Sequence, residues 1–496
     1  MTTRRQFLRR SLVAAAAAPP ERRPNILFCI ADDHSHPHTG AYGCRFTRTP
    51  AFDRVARQGV LFRHAFVSTP SCCPSRGSVL AGQDFYRLRD ASMNHTIWPG
   101  GIPLYTDLLA QAGYHGGYTG KGWGPGNWKV SGRSFSPAGP EYNHARLTAP
   151  GKYISNIDYA ANFRAFLARR PREAPFCFWA GFLEPHREYE PGIGLRHGKR
   201  LEDMQVPGFL PDSREVRSDL ADYAFEIEWY DRQLGALLKI LEDRGELDNT
   251  LVVVTADNGM PFPRAKANLY DYGARMPLAI RWGSRVKPGR VIDDFVSFPD
   301  LAPTFLEAAG LAAPAAMTGR SLLPLLWGQA GPRRDQAVFG IERHFPGSRS
   351  GGAGYPCRAI RTKDHLYIRN LTPDRYPAGD RPGPAWPAGD PVGGFGDTDG
   401  GPAKTFLWEN RDQYPELFRL SFERRPAEEL YAMAEDPYSL KNLAADTRYA
   451  AVKEGLAARL ESHLERTEDP RATGRGQMLD EVMTRYPSLG TNAPPG

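Results

Sequence analysis

Two stretches restrict the fold more than any other feature of the chain. "NILFCIADD" (25–33) and "TLVVVTADNG" (250–259) are continuous apolar runs that close on Asp32-Asp33 and on Asp257-Asn258. A strand that is apolar on both faces must be covered on both, so these runs predict buried parallel strands rather than a half-exposed sheet. "PFCFWAGFLEPH" (175–186) is a third run, ending at His186, and "GYHGGYTGK" (113–121) is a weaker fourth, ending at Lys121. Helical patterns fall between them. One opens at Thr49-Pro50, carries Phe52, Val55 and Ala56 on a face and stops at Gly59; a longer one runs from about Ser218 to Gly245 with an apolar stripe from Leu220 to Leu241. Alternating strands and helices predict an open α/β sheet, and ligands of such sheets bind beyond the carboxyl ends of the strands. That rim collects three carboxylates, an amide, a lysine and a histidine.

Asp32, Asp33, Asp257 and Asn258 offer only oxygen atoms, a donor set that selects calcium or magnesium over zinc. Calcium is preferred, because several protein oxygens are available and magnesium keeps more of its water. "DDHSHPH" carries a competing signal, since the alternation of His34, His36 and His38 suggests a zinc site, but a loop containing Pro37 need not bring three imidazoles together. The six cysteines show no regular spacing apart from the adjacent pair Cys72-Cys73, and Cys29 and Cys177 lie inside apolar runs where a thiol acts as a small hydrophobe.

The chain divides into three parts. Residues 1–22 combine Arg4-Arg5, a Phe-Leu pair and an Ala-rich segment before Pro19, the layout of a twin-arginine export leader; this predicts a periplasmic or extracellular protein. Cleavage near Ala18 would remove four arginines and no acid, taking the formal charge from +7 to +3, so the basic balance gives little support to nucleic-acid binding. No run of about 18 apolar residues predicts a membrane span. Residues 23–339 form the α/β unit. Residues 340–496 are read as a smaller α+β domain: within it 373–403 is too rich in Pro and Gly to be an element, "AEELYA" suggests a strand, Asp436-Pro437 a turn, and 447–466 a last helix.

One motif goes further. Cys72-Cys73-Pro74-Ser75-Arg76, followed by Gly77, Ser78, Val79, Leu80, Ala81 and Gly82, resembles the signature C-x-P-S-R-x-x-x-[LIVM]-x-G of type I sulfatases. "DNGMPFPRAKANLY", "EPHR", "TGRSLLPLL" and "YPCRAIRT" are similar to the heparan N-sulfatase (sulfamidase) branch and its bacterial relatives, and the similarity runs from about residue 23 to the last helix. The resemblance implies an alkaline-phosphatase-like α/β sandwich: a large mixed, mostly parallel sheet flanked by helices, with a smaller C-terminal α+β domain holding an antiparallel sheet. It implies that Cys72 is oxidised to formylglycine by a maturing enzyme, with Cys73 a bystander, and that one calcium ion is held by Asp32, Asp33, Asp257 and Asn258 beside position 72. Arg76 then holds the aldehyde hydrate in place, and Lys121 and Lys266 contact the sulfate.

A hydrated aldehyde has two hydroxyls; one attacks sulfur, and the second expels sulfate and restores the aldehyde, which a serine ester cannot do. His186 is the candidate general acid, since imidazole exchanges a proton near neutral pH. Glu184, and Glu342 with His344 on a loop before the small domain, are candidate sugar contacts. Two departures stand out. The family reads Lys-x-His where this chain has Lys121-Gly122-Trp123, and the sulfamidase branch reads Asp-Pro-His where it has Glu184-Pro185-His186. The expected activity is calcium-dependent removal of sulfate from a sulfated sugar, a glucosamine N-sulfate or O-sulfate of a glycosaminoglycan, by a monomer or homodimer. A phosphate mono- or diester hydrolase of the same superfold, or a non-catalytic binder of sulfated glycans suggested by Trp123, are the alternatives.

Overall fold

The computed structural model describes residues 23–329, 333–382 and 394–486; the export leader expected over 1–22 lies outside the described residues. Seven strands, β1 (Asn25–Ala31), β2 (Val60–Phe66), β3 (His115–Gly120), β4 (Phe176–Gly181), β5 (Thr250–Ala256), β6 (Ala279–Arg281) and β7 (Arg290–Ser297), form the main sheet. Their order is β7-β2-β6-β5-β1-β4-β3, and a short eighth strand, Arg275–Met276, pairs with β2. Strands β5, β1, β4 and β3 are mutually parallel, whereas β6 runs antiparallel between β5 and β2. Every residue of β1, β4 and β5 is buried, which accounts for their unbroken apolar sequences.

Three helices matter for the site. Helix α1 (Pro50–Gln58) starts with proline in its first turn, where a missing N–H costs nothing. Helix α2 (Cys72–Ala81) is buried along its whole length. It ends at Gly82, whose φ of +63° is the left-handed conformation that a helix stop requires and that glycine adopts freely. Helix α3 (Arg214–Asp243) begins ahead of the expected Ser218, because the Ser213 side chain accepts a bond from Val216 N and sets the true start before the apolar stripe begins.

The second sheet is antiparallel throughout: β8 (Gln336–Ile341), β9 (Cys357–Thr362), β10 (His365–Asn370) and β11 (Glu428–Ala432), paired in that order. It begins at Gln336, slightly before the boundary at 340 read from the sequence. Helix α4 (Pro402–Glu409) rises out of the end of the Pro/Gly-rich stretch and packs against α3, and α5 (Pro415–Phe422) follows it. Helix α6 (Ala450–Arg466) covers the small sheet with Leu456, Leu460 and Leu464. It is not the last helix: α7 (Gln477–Arg485) follows and packs Leu479, Val482 and Met483 against Met93 of the large unit. The two sheets are joined where Gly340 N donates to Ser68 O (3.0 Å) and the rings of Phe66 and Phe339 stack at 5.4 Å.

Candidate active site

The carboxyl ends of β1, β3, β4 and β5 deliver their polar residues to one place. Asp32, Asp33 and Asp257 each put a carboxylate oxygen, and Cys72 its sulfur, within 4.8 Å of one another, and all four residues are buried. Asp33 has a φ of 67°, a left-handed backbone that a non-glycine residue adopts at a cost and that concentrates at functional positions. Asn258 Nδ2 donates to Asp33 Oδ1 (2.6 Å) and to Gly259 O (3.1 Å). Its Oδ1, buried among these carboxylates, has no partner. An orphan oxygen beside three acids is a fit for a hard cation, which would satisfy it and offset the negative charge.

Cations from the protein surround the acids. Arg76, wholly buried on α2, donates from Nε to Asp257 Oδ2 (2.7 Å) and lies 3.7 Å from Asp32 Oδ1, while its Nη1 donates to Lys121 O (2.8 Å). Lys121 Nζ donates to Asp32 Oδ2 (2.6 Å), and Lys266 Nζ to Asp33 Oδ2 (2.8 Å). Lys121 reaches the rim because Gly120 comes so close to Gly181 that a Cβ would lie 1.9 Å from its carbonyl oxygen, allowing Lys121 N to donate to that oxygen (2.7 Å). Burial pushes the Asp32 carboxyl up, but Lys121, His186 and Arg76 outweigh it and hold the group well below the usual carboxylate range. Asp257 goes the other way: burial raises it against the pull of Arg76, and the neighbouring Asp32 charge adds to the rise.

Cys72 is the first residue of α2 and lies 3.5 Å from Asp32 Oδ1. The helix start is held by Asn94, whose Oδ1 accepts from Cys73 N (2.8 Å). Burial keeps the Cys72 thiol well above its ordinary range, although Lys121 opposes this. His186 leaves the end of β4 with Nδ1 2.6 Å from Arg187 O; a carbonyl only accepts, so Nδ1 carries the hydrogen and Nε2 faces Asp33 Oδ2 at 3.8 Å. A cleft of about 410 Å3 lined by Thr106, Leu109, Tyr114, Phe135, Tyr142 and Cys177 shares no residue with this cluster, and its acid, Asp107, is occupied by both terminal nitrogens of Arg133.

Residues 24–311 match the family model described as Sulfatase, and residues 264–375 match that of N-sulphoglucosamine sulphohydrolase, C-terminal. The chain belongs to the sulfatase family. It is 30% identical to the N-sulphoglucosamine sulphohydrolase of Homo sapiens, over 93% of this chain and 94% of that one, and 27% identical to an ulvan-active sulfatase of Formosa agariphila, over 97% and 86%. Among solved structures, a 2-O glycosaminoglycan sulfatase superposes with a TM-score of 0.65 at 21% identity, covering 91% of this chain and 94% of that one. A protein solved with its substrate D-glucosamine-2-N,6-O-disulfate gives 0.63 at 22% identity, over 90% and 99%. These two show the shared fold.

Not every residue singled out in the sequence faces this sulfatase's charged cluster. Glu184 is buried with Oε1 accepting from Ser155 N (3.1 Å) and Oε2 from Tyr159 Oη (2.9 Å), so it fastens the turn before His186 and has no oxygen aimed at a sugar. Glu342 is 0% exposed and is held by Arg358 and Arg471. Together with Asp469 on Arg358 it forms a buried ion network of the C-terminal region, and this corrects its reading as a sugar contact. His344 lies behind the start of α2, its Nδ1 within 2.9 Å of Ser71 Oγ and 3.1 Å of Asn94 Nδ2. Trp123, at the position where the resemblance leads one to expect histidine, packs edge-on to Trp98 at 5.2 Å and close to Gly77. His34, His36 and His38 are not brought together as a metal site: the His34 ring packs on Tyr230, His36 on Tyr42 and His38 on Phe46 and Tyr223. Asn94 and Asp399 are the residues that sequence reading missed. Neither lies at a strand end or in a motif, and only the fold brings them to the cluster.

Proposed function

We propose that this sulfatase removes sulfate from a sulfated amino sugar of the glycosaminoglycan type, using a formylglycine made from Cys72 and a calcium ion held by Asp32, Asp33, Asp257 and Asn258. The observation that carries the reading is the meeting of position 72 with three carboxylates, two lysines and one arginine at the start of a buried helix. A thiol kept protonated by burial is a poor nucleophile, which favours an oxygen derived from it over the sulfur itself. Conversion to the aldehyde hydrate would supply that oxygen, and the cation would favour its deprotonated form.

Each protein group then has a task. Arg76 fixes position 72 against Asp257, and Lys121 and Lys266 turn from Asp32 and Asp33 to the sulfuryl oxygens, where charge gathers as sulfur is attacked. With Nδ1–H kept on Arg187 O, His186 acts as the doubly protonated ring, which gives its Nε2 proton to the departing oxygen or nitrogen and returns to the neutral Nδ1–H form. The sugar class is supported by the relative named N-sulphoglucosamine sulphohydrolase. The leader at residues 1–22 supports export to the periplasm or beyond, after maturation by a second enzyme. Among the described residues no helix is long and apolar enough to cross a membrane.

The test combines mass spectrometry of the peptide containing Cys72 with sulfate release from glucosamine N-sulfate, glucosamine O-sulfate and a phosphate ester, with and without chelator. A peptide lighter than its thiol form and chelator-sensitive sulfate release are expected. An unaltered thiol in active protein, or preference for the phosphate ester, rejects the reading. His186→Ala should lower kcat by about 100-fold or more if the ring is the proton donor, the range typical of positioned acids.

A further inference from the structure

The Pro/Gly-rich stretch 373–403 has no part in the mechanism above, yet its end reaches the charged cluster. Segment 394–401 is gripped from both sides. Asp397 is buried; its Oδ1 accepts from Phe345 N (2.9 Å) and Ser348 Oγ (2.6 Å), and its Oδ2 from Arg349 Nη1 (2.7 Å). Lys404, also buried, donates to the carbonyls of Gly394 (3.0 Å), Phe395 (3.0 Å) and Thr398 (2.7 Å). Ala403 N donates to Asp219 Oδ2 (3.1 Å), the same carboxylate that binds both terminal nitrogens of Arg187, next to His186. Two backbone bonds, from Phe395 N to Asp380 O (2.9 Å) and from Asp397 N to Ala378 O (2.9 Å), add to these side-chain contacts, so this end of the loop has a fixed course.

What the grip presents is Asp399. Its Oδ2 accepts from Lys266 Nζ (3.0 Å), the same ammonium that donates to Asp33. One lysine thus stands between two carboxylates. Asp399 is the accessible member of the three, at 26% side-chain exposure against 3% for Lys266 and 0% for Asp33. Its other oxygen, Oδ1, receives no hydrogen bond from any described residue. Through Lys266, Asp399 is joined to Asp33, the carboxylate that His186 Nε2 faces at 3.8 Å, so it belongs to the same charged cluster as the candidate proton donor. Pairing Lys266 would not require an open carboxylate edge; a ligand with hydroxyl or amine donors would.

We propose that Asp399 is a substrate-positioning residue of this sulfatase: Oδ2 steadies Lys266 and Oδ1 accepts a hydrogen bond from a hydroxyl or amino group of the sugar that bears the sulfate. The proposal rests on the sulfohydrolase reading above. It makes the loop a specificity element for polyhydroxy or amino sugars; a sulfate ester without such donors loses only the support that Oδ2 gives Lys266.

The experiment uses the full-length, matured enzyme and compares Asp399→Asn and Asp399→Glu with the parent on glucosamine N-sulfate, glucosamine O-sulfate and nitrophenyl sulfate. Because Asp397 and Lys404 hold the loop, the variants should unfold at the parent's midpoint. Loss of a hydrogen bond to a charged acceptor predicts a fall of about 10- to 100-fold in kcat/KM for the sulfated sugar, chiefly through KM, with a loss on nitrophenyl sulfate, which reports the Lys266 contact alone, smaller by about tenfold, and partial rescue by Asp399→Glu. Equal losses on sugar and aryl ester would reduce Asp399 to a prop for Lys266 and overturn the proposal, as would unchanged kinetics on both. A parent enzyme that cleaves only the aryl ester overturns it while the sulfatase reading stands; a matured parent that cleaves none of the three sinks that reading itself.

Discussion

Arg76 shows how much the site depends on single charges. It lies between Asp257 and Asp32 with no exposure, so Arg76→Ala leaves two buried carboxylates facing each other. Removing one partner of a buried pair costs about 3–5 kcal/mol, and the variant should lose activity and melt well below the parent in chelator, regaining stability when calcium is added. Glu184 gives a prediction of opposite character. Burial raises its carboxyl to about 7, above the ordinary value it has in the unfolded chain. The folded state therefore binds that proton more tightly, and the stability it contributes is complete below the unfolded value and is lost as pH rises through about 7. Melting in chelator between pH 4.5 and 8.5 should show a decline of up to about 1.4 kcal/mol per pH unit as pH rises toward about 7, levelling off above it, and Glu184→Gln should flatten that decline. Asp32, Asp33, Asp257, Asn258, Lys121 and His186 were legible in the sequence because each follows a strand, and a strand end is a fixed address in a parallel sheet. Glu184 and Glu342 were misread because an acid next to a candidate residue has the same appearance whether it faces solvent, ligand or a buried arginine.

Elements differ in how openly the sequence announces them. β1, β4 and β5 are apolar from end to end, whereas β2 carries Arg63-His64 and β7 carries Asp293-Asp294 beside a register shift, so neither shows a clean period. The helices α4 and α7 escaped notice for another reason. Each is short and amphipathic, and its apolar side is explained only by partners far along the chain: α3 for α4, Met93 for α7. α2 is the reverse case, a motif so specific that its position was fixed before its burial was known. Its stop can be tested. A methyl group at Gly82 would meet Met317 Sδ at 2.7 Å and would force an L-residue into a φ of +63°. Gly82→Ala should therefore lose about 1–2 kcal/mol from backbone strain alone, read as a lower melting temperature, with the cation requirement unchanged.

At the scale of the molecule the small sheet is less an appendage than a wall of the site. Ser71 and Asn94 of the large unit share His344 of the C-terminal region, and Lys266 shares Asp399. The buried network of Glu342, Arg358, Asp469 and Arg471 makes that region rigid, and Arg358→Ala would strand Glu342 and Asp469 without their common partner. The expected cost of about 3–5 kcal/mol should appear as a lower unfolding midpoint, and activity measured well below that midpoint should survive. The separate antiparallel sheet was implied by the family resemblance; the convergence of its flanking loops on α2 was not, because it rests on contacts that span hundreds of residues. The enclosure of α2 also sets an order of events in the life of the chain. Cys72 has only 2% of its surface open, so an enzyme that rewrites this side chain cannot reach it once the protein has closed around it. Any such editing would have to act while the polypeptide is still slack, and a chain sealed too early would stay unprimed until it opened again.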